Sequence, residues 1–229
     1  MSELYQHRAR KRFGQNFLHD AGVIHRILRA IHAREGQRLL EIGPGQGALT
    51  EGLLGSGARL DVIELDQDLI PLLKLKFGLE SRFSLHQGDA LKFDFTSLVE
   101  SGEKLRVVGN LPYNISTPLI FHLLEHAPVI EDMHFMLQKE VVERLAATPG
   151  GGDWGRLSIM VQYHCRVEHL FNVGPARSTR RPRSTRPSSV SPPSPSRPIR
   201  HATRNCSNGW SARPSTSAAR PCATPSSLS

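Results

Sequence analysis

Residues 1–175 alternate between short apolar runs and amphipathic stretches, the pattern of an α/β domain in which strands and helices take turns around a mostly parallel sheet. Strands are expected at RLLEIG (38–43), RLDVIEL (59–65), RFSLHQ (82–87), LRVVGNL (105–111) and MHFMLQ (133–138). Helix-like segments separate them at 48–54, 67–77, 117–127 and 140–147. Ahead of all these, Asp20 reads as the N-cap of a helix whose Val23, Ile27, Leu28 and Ile31 share one face. Pro118 suits a first helical turn, where a missing N–H is no loss. The glycine-rich stretch 150–155 predicts a flexible connection, followed by a helix-like run (156–165) and a strand-like run (167–173). A doubly wound, Rossmann-like sheet follows from this order.

Three strand ends carry candidate chemistry. Gly43, Gly45 and Gly47 lie in a turn between a buried strand and a helix, where glycine lets the backbone approach a ligand and the helix start offers N–H groups. Alone the signal is ambiguous, because Gly43, Gly45 and Ala48 also satisfy the dinucleotide pattern G-x-G-x-x-A, and a purely structural turn fits as well. Glu64 ends the second strand, placed to accept both hydroxyls of an adenosine ribose, and Asp89 follows the third, placed to accept from an adenine amino group. Either acid taken singly reads equally well as a surface residue. Their shared rim makes the ligand reading the stronger one.

Asn110-Leu-Pro-Tyr113 ends the fourth strand on that same rim. An exocyclic amine conjugated to a purine is a poor nucleophile, and acceptors that hold its hydrogens favour the pyramidal form needed for attack. The Asn110 side-chain oxygen and a carbonyl near Leu111 and Pro112 are candidate acceptors, and Tyr113 offers a face for a base drawn out of its stack. An electrophilic sulfonium methyl would need no metal and no covalent intermediate. Alignment and amine polarisation are the work left to the protein. The bland alternative is a turn in which Asn caps and Pro-Tyr packs.

Charge is distributed unevenly. Ala176–Ser229 holds ten arginines and no lysine, Asp or Glu, whereas in 1–175 21 acidic residues outnumber 19 basic ones. The overall +8 therefore comes from the tail and is not in itself a nucleic-acid footprint. Only Val190, Ile199 and Leu228 are large aliphatics in that tail, so it is expected to be disordered. Cys165, Cys206 and Cys222 form no disulfide framework, and the scattered histidines offer no metal spacing. Neither a signal peptide nor an apolar run of about 18 residues is present, so a cytoplasmic location is the default expectation.

The motifs Glu-Ile-Gly-Pro-Gly-Gln-Gly (41–47), Asn-Leu-Pro-Tyr (110–113) and Lys-Arg-Phe-Gly-Gln-Asn-Phe-Leu (11–18), in this order, resemble the bacterial 16S ribosomal RNA adenine dimethyltransferase family over residues 8–175. The resemblance implies a class I methyltransferase fold with S-adenosyl-L-methionine as cofactor. It implies a monomer acting, without metal or membrane, on 16S rRNA in the small ribosomal subunit, at the N6 atoms of two adjacent adenines in a 3′-terminal stem-loop. By the same resemblance Asn16 and Leu18 line the cofactor, Gly43 and Gly45 meet its amino-acid end, Glu64 holds its ribose and Asp89 its adenine. Asn110 lies between cofactor and target, with Pro112 and Tyr113 beside it. Lys11 and Arg12 become candidate phosphate contacts, and Gln138-Lys-Glu140 fits the family's pattern.

The likeness breaks after Pro175, where the family continues as G-A-F-x-P-P-P-K-V-D-S-A-V-V-R-L and this chain reads ARSTRRPRSTRPSSVS. With suitable synonymous codons, restoring one lost G after Pro175 turns the tail into GAFNPPPKVDSAVVRL. Residues 1–175 are thus expected to be a methyltransferase domain without its last strand and C-terminal helical domain, and 176–229 an out-of-frame translation. The rival reading of the tail is a genuine basic arm that binds RNA. For the chain as a whole the alternatives are a 23S rRNA adenine N6-methyltransferase, a non-catalytic RNA-binding assembly factor and, more distantly, a nicotinamide dehydrogenase.

Overall fold

The computed structural model describes residues 18–173 and, as backbone, 196–202. The expectations for Lys11, Arg12, Asn16 and the rest of the tail lie outside the described residues. Five parallel strands form the body of the sheet: β1 (Arg38–Ile42), β2 (Arg59–Glu64), β3 (Phe83–Gln87), β4 (Leu105–Asn110) and β5 (Ile130–Gln138). Helices α1 (Ala21–Ile31), α2 (Thr50–Gly55), α3 (Ile70–Phe77), α4 (Tyr113–Glu125), α5 (Lys139–Leu145) and α6 (Arg156–His164) cover its two faces. The short β6 (Arg166–His169) follows α6.

Strand order is β3-β2-β1-β4-β5-β7-β6, where β7 is Ser196–Ala202. The expected doubly wound parallel arrangement is present, with the order reversing between β1 and β4. A last strand, expected to be missing, is present in the form of β7, which lies between β5 and β6 and pairs antiparallel with both. An unpaired edge on the nine-residue β5 leaves backbone donors and acceptors without partners, and the 196–202 backbone supplies them.

Two cores sandwich the sheet. Leu39, Leu60, Val62 and Val108 face α1, α2 and α3, while Leu40, Ile42, Val107 and Phe135 face α4, α5 and α6. β1 and β4 are buried on both faces, which is why they read as apolar runs interrupted only by the buried Glu41 and Arg106. α1 starts as expected, with the Val23 N–H donating to Asp20 Oδ1 at 3.0 Å, and it buries Ile27 and Ile31.

One expectation changes with position. α4 begins at Tyr113, four residues before the expected start, because the Pro112 carbonyl already accepts from the Ile115 and Ser116 N–H groups. Pro118 therefore sits inside the helix rather than in its first turn, and it supplies no N–H to the Asn114 carbonyl.

Candidate cofactor and target-base cleft

The carboxyl ends of β1, β2, β3 and β4 open into one cleft at the β1/β4 reversal, the place where open α/β sheets bind ligands. Gly43, Gly45 and Gly47 take φ of 66°, 59° and 85°, left-handed values that a side chain would strain. The turn they build is held from three sides. The Gly43 N–H donates to the Ile63 carbonyl at 2.9 Å, Lys76 Nζ of α3 donates to the Gln46 carbonyl at 2.8 Å, and the Phe77 ring packs against Gly47. A Cβ on Gly43 would meet nothing within 4 Å, so its conformation is what demands glycine there.

Glu64 turns its carboxylate back under this loop. It accepts from the Asp66 N–H at 2.8 Å and from the Gly45 N–H at 3.3 Å. Burial raises its pKa against the opposing pull of those N–H groups. Leu65, next in the chain, is half exposed at the cleft and offers an apolar wall. Asp89 closes an Asx turn through the Leu91 N–H at 3.0 Å and lines the far side.

On β4, Gly109 lets the strand press against β1: an added Cβ would stand 2.9 Å from the Ile42 carbonyl oxygen. The residues that follow turn out of the sheet. The Leu111 N–H donates to the Met136 carbonyl at 3.1 Å, so the Asn-Leu-Pro-Tyr corner is anchored to β5. Pro112 is extended (φ −67°, ψ 149°) and Tyr113, 65% exposed, presents its ring at the mouth. The corner thus carries side chains from the core to the rim of the cleft.

The structure brings Leu18, Gly43, Gly45, Glu64, Asp89, Asn110, Pro112 and Tyr113 together in this one cleft. The chemistry gathered here, a glycine turn, the Glu64 carboxylate, the apolar Leu65 and the Asp89 carboxylate, fits S-adenosyl-L-methionine. Sequence reasoning gave no role to Glu41, which also lines the cleft. It is 2% exposed, accepts from Thr50 Oγ1 at 2.6 Å, and burial pushes its carboxyl up to about 7, with the Glu64 charge adding to the rise and the Thr50 bond opposing it. The signal was a lone acid inside the apolar RLLEI. Gln138, at the end of β5, lines the cleft as well.

Among the described residues, no helix is long and apolar enough to cross a membrane. Nor does any group of three or more His, Cys, Asp or Glu stand ready to hold a metal.

The ribosomal RNA small subunit methyltransferase A of Pseudomonas aeruginosa is 99% identical over 175 residues, covering 76% of this chain and 65% of its own length. That of Pseudomonas putida is 79% identical over 175 residues, covering 76% and 66%. The chain thus spans just under two thirds of these relatives. Among solved structures, a dimethyladenosine transferase from Plasmodium falciparum superposes with a TM-score of 0.67 at 28% identity, over 82% of this chain and 64% of that one. The 23S rRNA methyltransferase ErmE gives 0.66 at 26% identity, over 83% and 70%. The family described as ribosomal RNA adenine dimethylase matches residues 6–198, and the chain belongs to it.

Proposed function

We propose that this chain carries the methyltransferase core of an enzyme that transfers methyl groups from S-adenosyl-L-methionine to the N6 atoms of two adjacent adenines near the 3′ end of 16S rRNA, in the small ribosomal subunit, and that the chain as written does so weakly or not at all. The observation that carries the reading is that the Asn110–Tyr113 corner and the glycine loop share one rim of one cleft. The cofactor supplies an electrophilic methyl group. Asn110 holds the hydrogens of the target amine through its side-chain oxygen, with a carbonyl near Leu111 and Pro112 as the second acceptor. Tyr113 stacks on the base after it leaves the helix. Gly43, Gly45 and Leu18 position the amino-acid end of the cofactor, Glu64 its ribose and Asp89 its adenine. No metal enters, and the protein works as a cytoplasmic monomer.

The same reading makes residues 1–175 the methyltransferase domain and 176–229 an out-of-frame extension. Identity with the two Pseudomonas relatives extends over 175 residues, which supports that boundary. Resequencing the gene tests it: one additional G after the Pro175 codon is expected, and an unbroken frame encoding RRPRSTRPSS would overturn it. By the family resemblance the phenylalanine of G-A-F-x-P-P-P would be a second wall for the flipped base, and the tail replaces it, so the frame-restored chain should methylate faster than this one.

Incubating unmodified small ribosomal subunits with methyl-labelled cofactor and the frame-restored chain should place label on adenine N6 of 16S rRNA. Label at any other atom would overturn the assignment. The likeness to ErmE favours 23S rRNA as the second reading, and label appearing only there would select it.

A further inference from the structure

Glu41 takes part in none of the contacts assigned above, yet it is a buried acid on the wall of the cleft, two residues before Gly43. Among the described residues, the side chains that line the cleft around it are neutral or acidic. Thr50 of α2 donates to it, and Glu64 at the end of β2 opposes its ionisation. The other ionisable groups lining the cleft are Asp66 after β2, Asp89 after β3 and Tyr113 of α4, and its uncharged polar side chains are the amides Gln46, Asn110, Asn114 and Gln138. Among the described residues, no lysine or arginine lines the cleft and no cation stands on its wall beside Glu41, so a cationic ligand bound there would favour the ionised form of Glu41.

Resting on the cofactor reading, we propose that Glu41 registers the charge on the cofactor's sulfur, releasing a proton when the sulfonium donor binds and regaining one once the sulfur is neutral. The proton count closes. Glu41 gives one proton to solvent on binding. Transfer then forms the N–C bond, breaks the S–C bond with its electron pair left on sulfur, and frees one proton from the amine. Glu41 takes up one proton as the carboxylate loses its counter-charge, leaving one proton released per turnover. The cleft thereby holds the charged donor more tightly than the neutral product above neutrality, and loses that preference below it. The raised carboxyl, at about 7, puts the change in a workable range.

Titration calorimetry of the full chain tests this with S-adenosyl-L-methionine and S-adenosyl-L-homocysteine, each in two buffers of different ionisation heat. Donor binding should release about one proton at pH 6, about half at pH 7 and little at pH 8. Its Kd should tighten about tenfold from pH 6 to pH 8 relative to the homocysteine ligand. Linkage at Glu64 is shared by both ligands through their common ribose and drops out of that ratio. Glu41→Gln, which keeps an acceptor for Thr50, should bind the donor with the difference gone. Thr50→Val removes the bond that favours ionisation and should move the midpoint to higher pH, a readout that survives if the first variant fails to fold. Equal proton release with both ligands, or a Glu41→Gln profile matching the parent, would overturn the proposal while leaving the cofactor reading intact. Failure of both ligands to bind would remove the cofactor reading and this inference with it.

Discussion

Arg106 and Asp132 face each other across β4 and β5, joined by two hydrogen bonds, Nε to Oδ1 at 2.9 Å and Nη2 to Oδ2 at 2.8 Å. Both side chains are nearly inaccessible, and the guanidinium also donates to Gln37 Oε1 and the Ile31 carbonyl, tying the end of α1 to the sheet. Burial alone would raise the Asp132 carboxyl, but His134 and Arg106 outweigh it and hold the group below its usual range.

Replacing Arg106 by Met leaves that carboxylate buried without its main partner and should cost about 3–5 kcal/mol in urea unfolding at pH 7. The double change Arg106→Met, Asp132→Leu should recover most of the loss. Because the Asp132 pKa is lowered by folding, its contribution is present above the ordinary carboxylate range and disappears as the solution is acidified through the folded value. The parent's advantage over the double variant should therefore shrink below about pH 4.

Glu41 works in the opposite sense. Its carboxyl is raised from 4.5 to about 7, so the folded chain retains a proton that the unfolded chain has lost between those values. Stability of the ligand-free protein should fall as pH rises from about 5 to 8, by on the order of 3 kcal/mol, and Glu41→Gln should flatten that slope. Urea midpoints across the pH series measure it.

Gly47→Ala meets two obstacles, a φ of 85° and a Phe77 ring atom 2.5 Å from the new Cβ. A loss of about 1–3 kcal/mol is expected, with weaker cofactor binding. Adding Phe77→Leu should relieve the contact and not the backbone strain, so recovery in thermal unfolding should be partial.

In the frame-restored chain, Asn110→Ala should lower adenine methylation by at least about 100-fold while RNA and cofactor still bind, as measured by labelled transfer and by calorimetry. Tyr113→Phe should keep most of the activity and Tyr113→Ala should not, because the aromatic face is the useful part.

The alternation of apolar runs with helix-like stretches was enough to order β1 to β5 and the helices between them, since the central strands are dominated by buried Leu, Ile and Val. Positions that depend on a neighbour were less readable. α4 starts at Tyr113 because of the Pro112 carbonyl, a backbone event that the helical periodicity of 117–127 does not encode. β7 lies in a stretch with almost no large aliphatics, and it is backbone pairing with β5 and β6 that places it. In the cleft, the glycines, Glu64, Asp89 and Asn110 stood out through their spacing at strand ends. Glu41 did not, because its distinction is depth of burial against Thr50, which spacing cannot reveal.

The neighbour relation of β1 and β4 also constrains the order in which the chain matures. Arg38 pairs with Leu105, two strand–helix units later, so one edge of the central strand waits until that distant segment is made. At translation speeds of about 5–20 residues per second the wait is on the order of several seconds. During it, a bare apolar ribbon emerges from the ribosome, and a chaperone that shields such ribbons would act on this protein before its second half exists.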